Sequence, residues 1–225
     1  MRSVQRLAVA AGLVLIAGAL SAVAAPSLPE RVVTNWDAAG RPAGTLPRAT
    51  AVWLSPALMA GLVLLLAVLP RIDPLRENVA AFRPTYDWFV VAVTAFLFVV
   101  HAGVLAFNLG YEFPFTSLIV AGVSLLVYYA GAVLPRTERN WFMGIRTPWT
   151  LSSDAVWDRT HRLGGRLFKL AALVGLAGLA FGEYAVYALV VPLVTVAVVT
   201  AAYSYVLYGR LERDGDDSIG PESES

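Results

Sequence analysis

Apolar residues arrive along this chain in long uninterrupted blocks and nowhere alternate with polar ones. Six blocks, at 7–25, 51–69, 87–109, 116–134, 163–182 and 184–207, each match the roughly 20 residues that a helix needs to cross about 30 Å of hydrocarbon. Strands of a membrane barrel would alternate apolar with polar positions over about ten residues. Helices therefore satisfy the backbone in lipid here. The pattern predicts an all-α integral membrane protein with six transmembrane helices. The connections at 110–115 and around 183 are so short that the third and fourth spans, and the fifth and sixth, should form antiparallel hairpins.

Three units follow: an amino-terminal helical hairpin over 1–69 with a loop at 26–50, a four-helix membrane region over 70–207 with a polar loop at 135–162, and an acidic tail over 208–225. The stretch 70–86 reads as a Pro- and Arg-rich connector, and the tail as a solvated, disordered end.

Composition agrees with this picture. The chain is 58% hydrophobic and 15% charged, with a mean hydropathy of +0.66, against about a quarter charged residues in a soluble domain. With no cysteine, disulfides and thiolate metal sites are excluded. A net charge of +1 argues against nucleic-acid binding, which needs a basic face.

Basic residues set the orientation, since cytoplasmic loops retain Lys and Arg. Fourteen of the 17 fall on the side of the amino terminus, and only Arg31, Arg41 and Arg48 on the other. Both termini are therefore expected in the cytoplasm, and the loop 26–50 outside. Aromatic residues favour the headgroup level, which suits Trp53, Tyr111, Tyr184 and Tyr187 outside and Trp88, Tyr128, Tyr129, Tyr205 and Tyr208 inside. The first block also resembles a secretory signal, with Ala22-Val23-Ala24 before Pro26; its apolar length favours an uncleaved anchor.

The polar segment GIRTPWTLSSDAVWDRTHRLGG, residues 144–165, stands apart from the rest. Gly144 permits a tight turn, and Pro148 biases Thr147 toward an extended conformation. Thr150, Ser152 and Ser153 can cap a helix whose positive end Asp154 favours, and that helix can run from 154 to 182. Trp157, His161, Gly164 and Phe168 then share one face, and Asp158 precedes Arg162 by one turn, the order that favours an ion pair. One reading is a membrane-surface elbow, with Trp149 and Trp157 at the headgroups and arginines on lipid phosphate. The other is a working surface, because lipid electrostatics alone would need only positive charge.

Asn140, the run GIRTPWTLS (Gly144, Arg146, Thr147, Pro148, Trp149 and Thr150 within it), Trp157, and Thr160-His161-Arg162 followed by glycine together resemble the hallmark of the SdpI-like family. These are multi-span membrane proteins named for immunity to a secreted sporulation-delaying toxin. The family pattern usually continues Asn-Glu where this chain has Ser153-Asp154. Residues 28–48 are similar to the domain of unknown function that commonly precedes this motif. Leu28-Pro29, Trp36, Gly40 and a base at Arg48 are kept, while Asn35 stands in a His position and Ala43 near an Asp position. The resemblance implies a non-enzymatic protein of the plasma membrane. It would be surrounded by the lipid bilayer, meet a secreted peptide toxin outside and capture a cytoplasmic transcriptional repressor inside, with no cofactor.

His101 and Asn108 lie in the third span, seven residues apart and on one face. An ionisable residue in a span is costly and marks a functional candidate, so the alternative reading is a small transporter or exporter with a path near His101. Its structural counterpart is a neutral histidine bonded to another helix. Gly175, Gly178 and Gly182 give the fifth span a small face for close helix packing. The chain contains no Gly-x-Ser-x-Gly, His-Glu-x-x-His, phosphate-loop or dinucleotide pattern, and its two histidines fall on different parts of the fold, so neither an enzyme nor a metal site is expected.

Overall fold

A computed structural model describes residues 2–217. Eight helices and one small β-hairpin follow in order: α1 (Ser3–Ala24), β1 (Arg31–Trp36), β2 (Pro42–Pro47), α2 (Arg48–Ile72), α3 (Arg76–Ala81), α4 (Arg83–Asn108), α5 (Phe115–Val133), α6 (Pro148–Ser152), α7 (Asp154–Gly178) and α8 (Ala185–Asp217). Five stretches are long and apolar enough to cross a membrane: Ser3–Ser27, Arg48–Ile72, Arg83–Asn108, Phe115–Arg136 and Asp154–Arg213. The last, 60 residues long, is no single rod. Phe181 leaves helical geometry and Gly182 takes φ +57°, a value open to glycine at no steric cost. The chain turns back there, so that Gly178 faces Ala188 and Gly175 faces Leu189 and Ser124.

The helices form two groups of three, α1 with α2 and α4, and α5 with α7 and α8, joined along α4 and α5. Leucines and valines such as Leu15, Leu64, Leu125, Leu170 and Val198 point outward, as a protein bathed in lipid requires. Small and polar side chains line the inside, among them Ala10, Ala17, Ser21, Thr94 and Thr200. Helices α5 and α7 cross closely at Gly131 and Gly165. A Cβ on either glycine would stand 2.8 or 2.7 Å from the other's carbonyl oxygen, so only hydrogen at both positions allows the approach.

Contacts between helix ends establish which connections share an end of the bundle. Ser3 and Arg6 of α1 meet Asp87 of α4, and the 73–78 connector meets 139–141, so the amino terminus, the 70–86 connector and the segment 135–153 lie at one end. The β-hairpin lies at the other, over Asn108, Phe115 and Thr116.

Several expectations are corrected. Most of 26–50 is a folded β-hairpin, over 31–47, rather than a loop, so the fold carries two strands besides its helices. Alternation of Val32 inward and Arg31 outward within β1 is too short a signal to stand out beside the apolar blocks. The helix expected over 154–182 ends at Gly178 and passes into a 3-10 turn. Helix α8 continues to Asp217, through the first part of the expected disordered tail, while 218–225 lie outside the described residues. The connector is largely helical: α3 fills part of it and α4 begins at Arg83.

Candidate functional site

Two polar assemblies occupy the opposite ends of the bundle. At the first, Asn140 is buried and folds the chain around itself. Its Oδ1 accepts from the backbone N–H groups of Phe142 and Met143 at 3.0 and 2.6 Å, and its Nδ2 donates to Glu138 O and Met143 O at 2.8 and 2.9 Å. The chain then turns at Gly144, whose φ is +124°. Ile145 N–H donates to His161 Nε2 at 3.0 Å, and His161 Nδ1 donates to Trp157 O at 2.8 Å. Since Nε2 must accept, the imidazole is neutral with its proton on Nδ1.

Thr147 is extended, as the following Pro148 requires, and caps α6 in a reciprocal arrangement with Thr150. Thr150 Oγ1 also donates to Ile145 O at 2.8 Å, and Thr147 Oγ1 lies 3.0 Å from Ser204 Oγ of α8. Ser153 caps α7 by accepting from Val156 N–H. Trp157 is fully buried, stacks on His161 at 3.9 Å and donates its Nε1–H to Thr137 O at 2.8 Å. It is therefore an internal strut and not the expected headgroup anchor. Trp149 is half-buried against Tyr205, with ring centroids 5.0 Å apart.

Asp158 and Arg162 do not pair. Asp154 instead binds Arg139 Nε at 2.6 Å, and Arg139 also reaches Leu151 O, because Asp154 at the helix start faces the incoming chain while Asp158 and Arg162 both point to solvent. Asn140, Thr150, Thr160 and His161 are buried, whereas Trp141, Arg146, Pro148 and Arg162 are exposed. The motif thus has an inner half that locks the segment onto α7 and α8 and an outer half free to meet something else. Thr160 Oγ1 is buried with no partner among the described residues.

The second assembly is the hairpin. Trp36 stacks on Phe115 at 3.7 Å and meets Phe107 edge-on at 5.1 Å. Asn108 acts as an extra strand neighbour: its Oδ1 accepts from Val33 N–H at 2.7 Å, and its Nδ2 donates to Val33 O and Val104 O, each at 2.9 Å. Arg48 NH1 donates to Leu28 O at 2.8 Å and fixes the approach through exposed Pro29. Asn35 packs over Gly44. Gly40, with φ +82°, closes the turn from Asp37 to Arg41. The backbone N–H of Arg41 holds the Asp37 carboxyl below the ordinary carboxylate range, helped by the Arg41 guanidinium and opposed by desolvation. Beside the hairpin lies a cavity of about 410 Å³ lined by Asn35, Trp36, Phe115, Thr116 and Val186, and the buried Trp36 Nε1 has no partner among the described residues.

His101 sits between the assemblies. Ser21 Oγ donates to Val52 O at 2.5 Å and lies 2.9 Å from His101 Nε2, which is also 3.3 Å from Ala17 O. The Ser21 hydroxyl thereby joins α1, α2 and α4, while His101 Nδ1 is buried and unpartnered among the described residues. His101 and Asn108 share a helix but have different partners: the histidine binds helices and the asparagine binds the hairpin. Asn108→Leu keeps approximate volume and leaves Val33 without a partner, so it should free the hairpin at a cost of about 1–3 kcal/mol. Faster amide exchange at Val33, with α7 and α8 unaffected, is the expected result.

Sequence reasoning missed Asp73, Asp87 and Ser21. Asp73 is buried and accepts from Leu75 N–H and Trp141 N–H, which pins the connector to the motif segment. A carboxylate in a turn reads as solvated unless its distant partner is known. No group of three or more His, Cys, Asp or Glu residues able to hold a metal ion occurs among the described residues.

Residues 136–207 match the SdpI/YfhL protein family, and residues 12–60 match a domain of unknown function (DUF1648). The first match starts where α5 gives way to the motif segment; the second takes in the hairpin with parts of its flanking helices. The chain is similar to "Immunity protein SdpI" of Bacillus subtilis (strain 168), 23% identical over 185 residues that make up 82% of this chain and 86% of that protein. No solved structure matches. On these matches, with the apolar helices that carry both ends, the chain is a multi-pass membrane protein that resembles the SdpI/YfhL family over residues 136–207.

Proposed function

We propose that this is a six-span immunity protein of the plasma membrane, with both termini cytoplasmic. In this reading the hairpin end meets a peptide or envelope signal outside, and the exposed half of the motif docks a soluble partner inside. The observation that supports it most is the separation of two ordered polar assemblies onto opposite ends of one bundle. Arg31, Arg41 and Arg48 belong to the hairpin end, and Arg2, Arg6, Arg71, Arg76, Arg83 and Arg136 to the motif end, the asymmetry that retains basic loops in the cytoplasm. The resemblance to an immunity protein supplies the biological role.

The docking surface is narrowed by burial. Trp141 is 49% exposed, and Arg146 NH1 donates to Trp141 O at 2.6 Å, so indole and guanidinium are presented together, the pair of side chains richest in interface hot spots. Photo-crosslinkers placed at 141 and at Ala38 in the hairpin turn test both faces in living cells. A soluble protein captured at 141 and lost in Arg146→Ala, with a peptide captured at 38, is the expected outcome. Capture of lipid alone at both positions would defeat the reading.

A further inference from the structure

Arg159, Arg162 and Arg166 of α7 line a hollow of about 230 Å³ whose other walls are Leu163 of the same helix and Tyr203 of α8. All three arginines are exposed, and none has a carboxylate within 4.0 Å among the described residues. Asp158, the nearest acid in sequence on this helix, also stays apart from Arg162. Three like charges on neighbouring turns repel one another, so the arrangement is most stable with an anion between them. Guanidinium forks match the paired oxygens of a phosphate.

The surroundings of the hollow narrow the source of that phosphate. Leu170, Leu173 and Val174 continue the arginine face along α7, and Val199 lies one turn from Tyr203 along α8; all four are exposed. Charge thus gives way within about one turn to lipid-facing apolar surface, at the end of the helix where the motif segment leaves the membrane region. A soluble phosphate would use the cations alone. An amphiphile uses both parts.

We propose that this hollow binds an anionic phospholipid, with its phosphodiester among Arg159, Arg162 and Arg166 and its acyl chains along Leu170, Leu173 and Val174. The site shares Arg162 with the exposed half of the motif, but it does not rest on the immunity reading and is tested without a docked partner. It would brace α7 against α8 in the same turns that carry His161.

The test uses the full chain in neutral detergent, with retained lipid counted by native mass spectrometry. Phosphatidylglycerol should be held in preference to phosphatidylcholine. The double variant Arg162→Gln/Arg166→Gln should weaken phosphatidylglycerol retention roughly 30-fold, at about tenfold per 1.4 kcal/mol and about 1 kcal/mol per basic residue near a charged lipid. Arg159→Glu, a separate exposed position, should weaken it as well, and Arg41→Gln in the hairpin should leave it unchanged. Equal retention of both lipids, or phosphatidylglycerol retention unaltered in the double variant and in Arg159→Glu, would overturn the site. Displacement of phosphatidylglycerol by inorganic phosphate at equal concentration would assign the hollow to a soluble phosphate compound and overturn the lipid.

Discussion

Gly144→Ala should destabilise the motif end by about 3–5 kcal/mol, combining the cost of a forbidden backbone geometry with that of overpacking. The φ of +124° at Gly144 lies where side chains are rarely tolerated. A Cβ there would also stand 2.3 Å from His161 Nε2 and 3.1 Å from the Trp157 ring. Neither neighbour can retreat, because His161 holds Ile145 N–H and Trp157 O, and Trp157 is tied to Thr137. Gly182→Ala is the matched control: its φ is +57° but nothing lies within 4 Å of the added carbon, so it should cost about 1–2 kcal/mol, the backbone penalty alone. Thermal unfolding of both variants in detergent separates the terms. Equal losses would mean that the packing of His161 against the turn contributes nothing.

The helical spans were legible because lipid imposes a single simple requirement, about 20 apolar residues in a row, and the chain satisfies it repeatedly. The hairpin was not. Its pairing depends on Asn108, more than 70 residues away in sequence, lending an amide to Val33, and no local pattern announces that. The motif was visible as an unusual cluster of residue types, but its division into buried and exposed halves was hidden. Trp157 and Trp149 look alike in sequence, yet one is a fully buried strut and the other lies half-buried on Tyr205. Asp158 and Arg162 have the spacing of an ion pair and do not form one, both pointing to solvent, while Asp154 is held by Arg139 from a different segment. Spacing on a single helix sets which residues can meet; the chain folded against that helix decides which do.

Asp87 shows the same principle with the largest energy attached. Arg83 stands four residues earlier, an arrangement that on an exposed helix contributes only a few tenths of a kcal/mol. Here the carboxylate is fully buried and gathers Arg83 Nε at 2.8 Å, Arg6 NH1 at 3.8 Å and the Ser3 hydroxyl. Arg6 also lies over the Trp88 ring, 5.9 Å from its centroid. Asp87→Ala therefore leaves a little-exposed guanidinium unpaired and should cost about 3–5 kcal/mol, the range for breaking one side of a buried pair. Arg83→Ala should cost about 1 kcal/mol or less, because Arg6 and Ser3 still answer the carboxylate and the lost cation was partly exposed. The loss should also be local. Helix α1 is held to α4 at three levels: Ser3 with Asp87, Ser21 with His101, and the hairpin that follows α1 with Asn108. The absence of native cysteine allows each level to be read by labelling one introduced thiol. In the Asp87→Ala background, Ala10→Cys should become reactive while Val32→Cys stays protected. Simultaneous exposure of both would mean that α1 leaves as a unit, and that the contact at Asp87 governs the hairpin at the far end of the bundle.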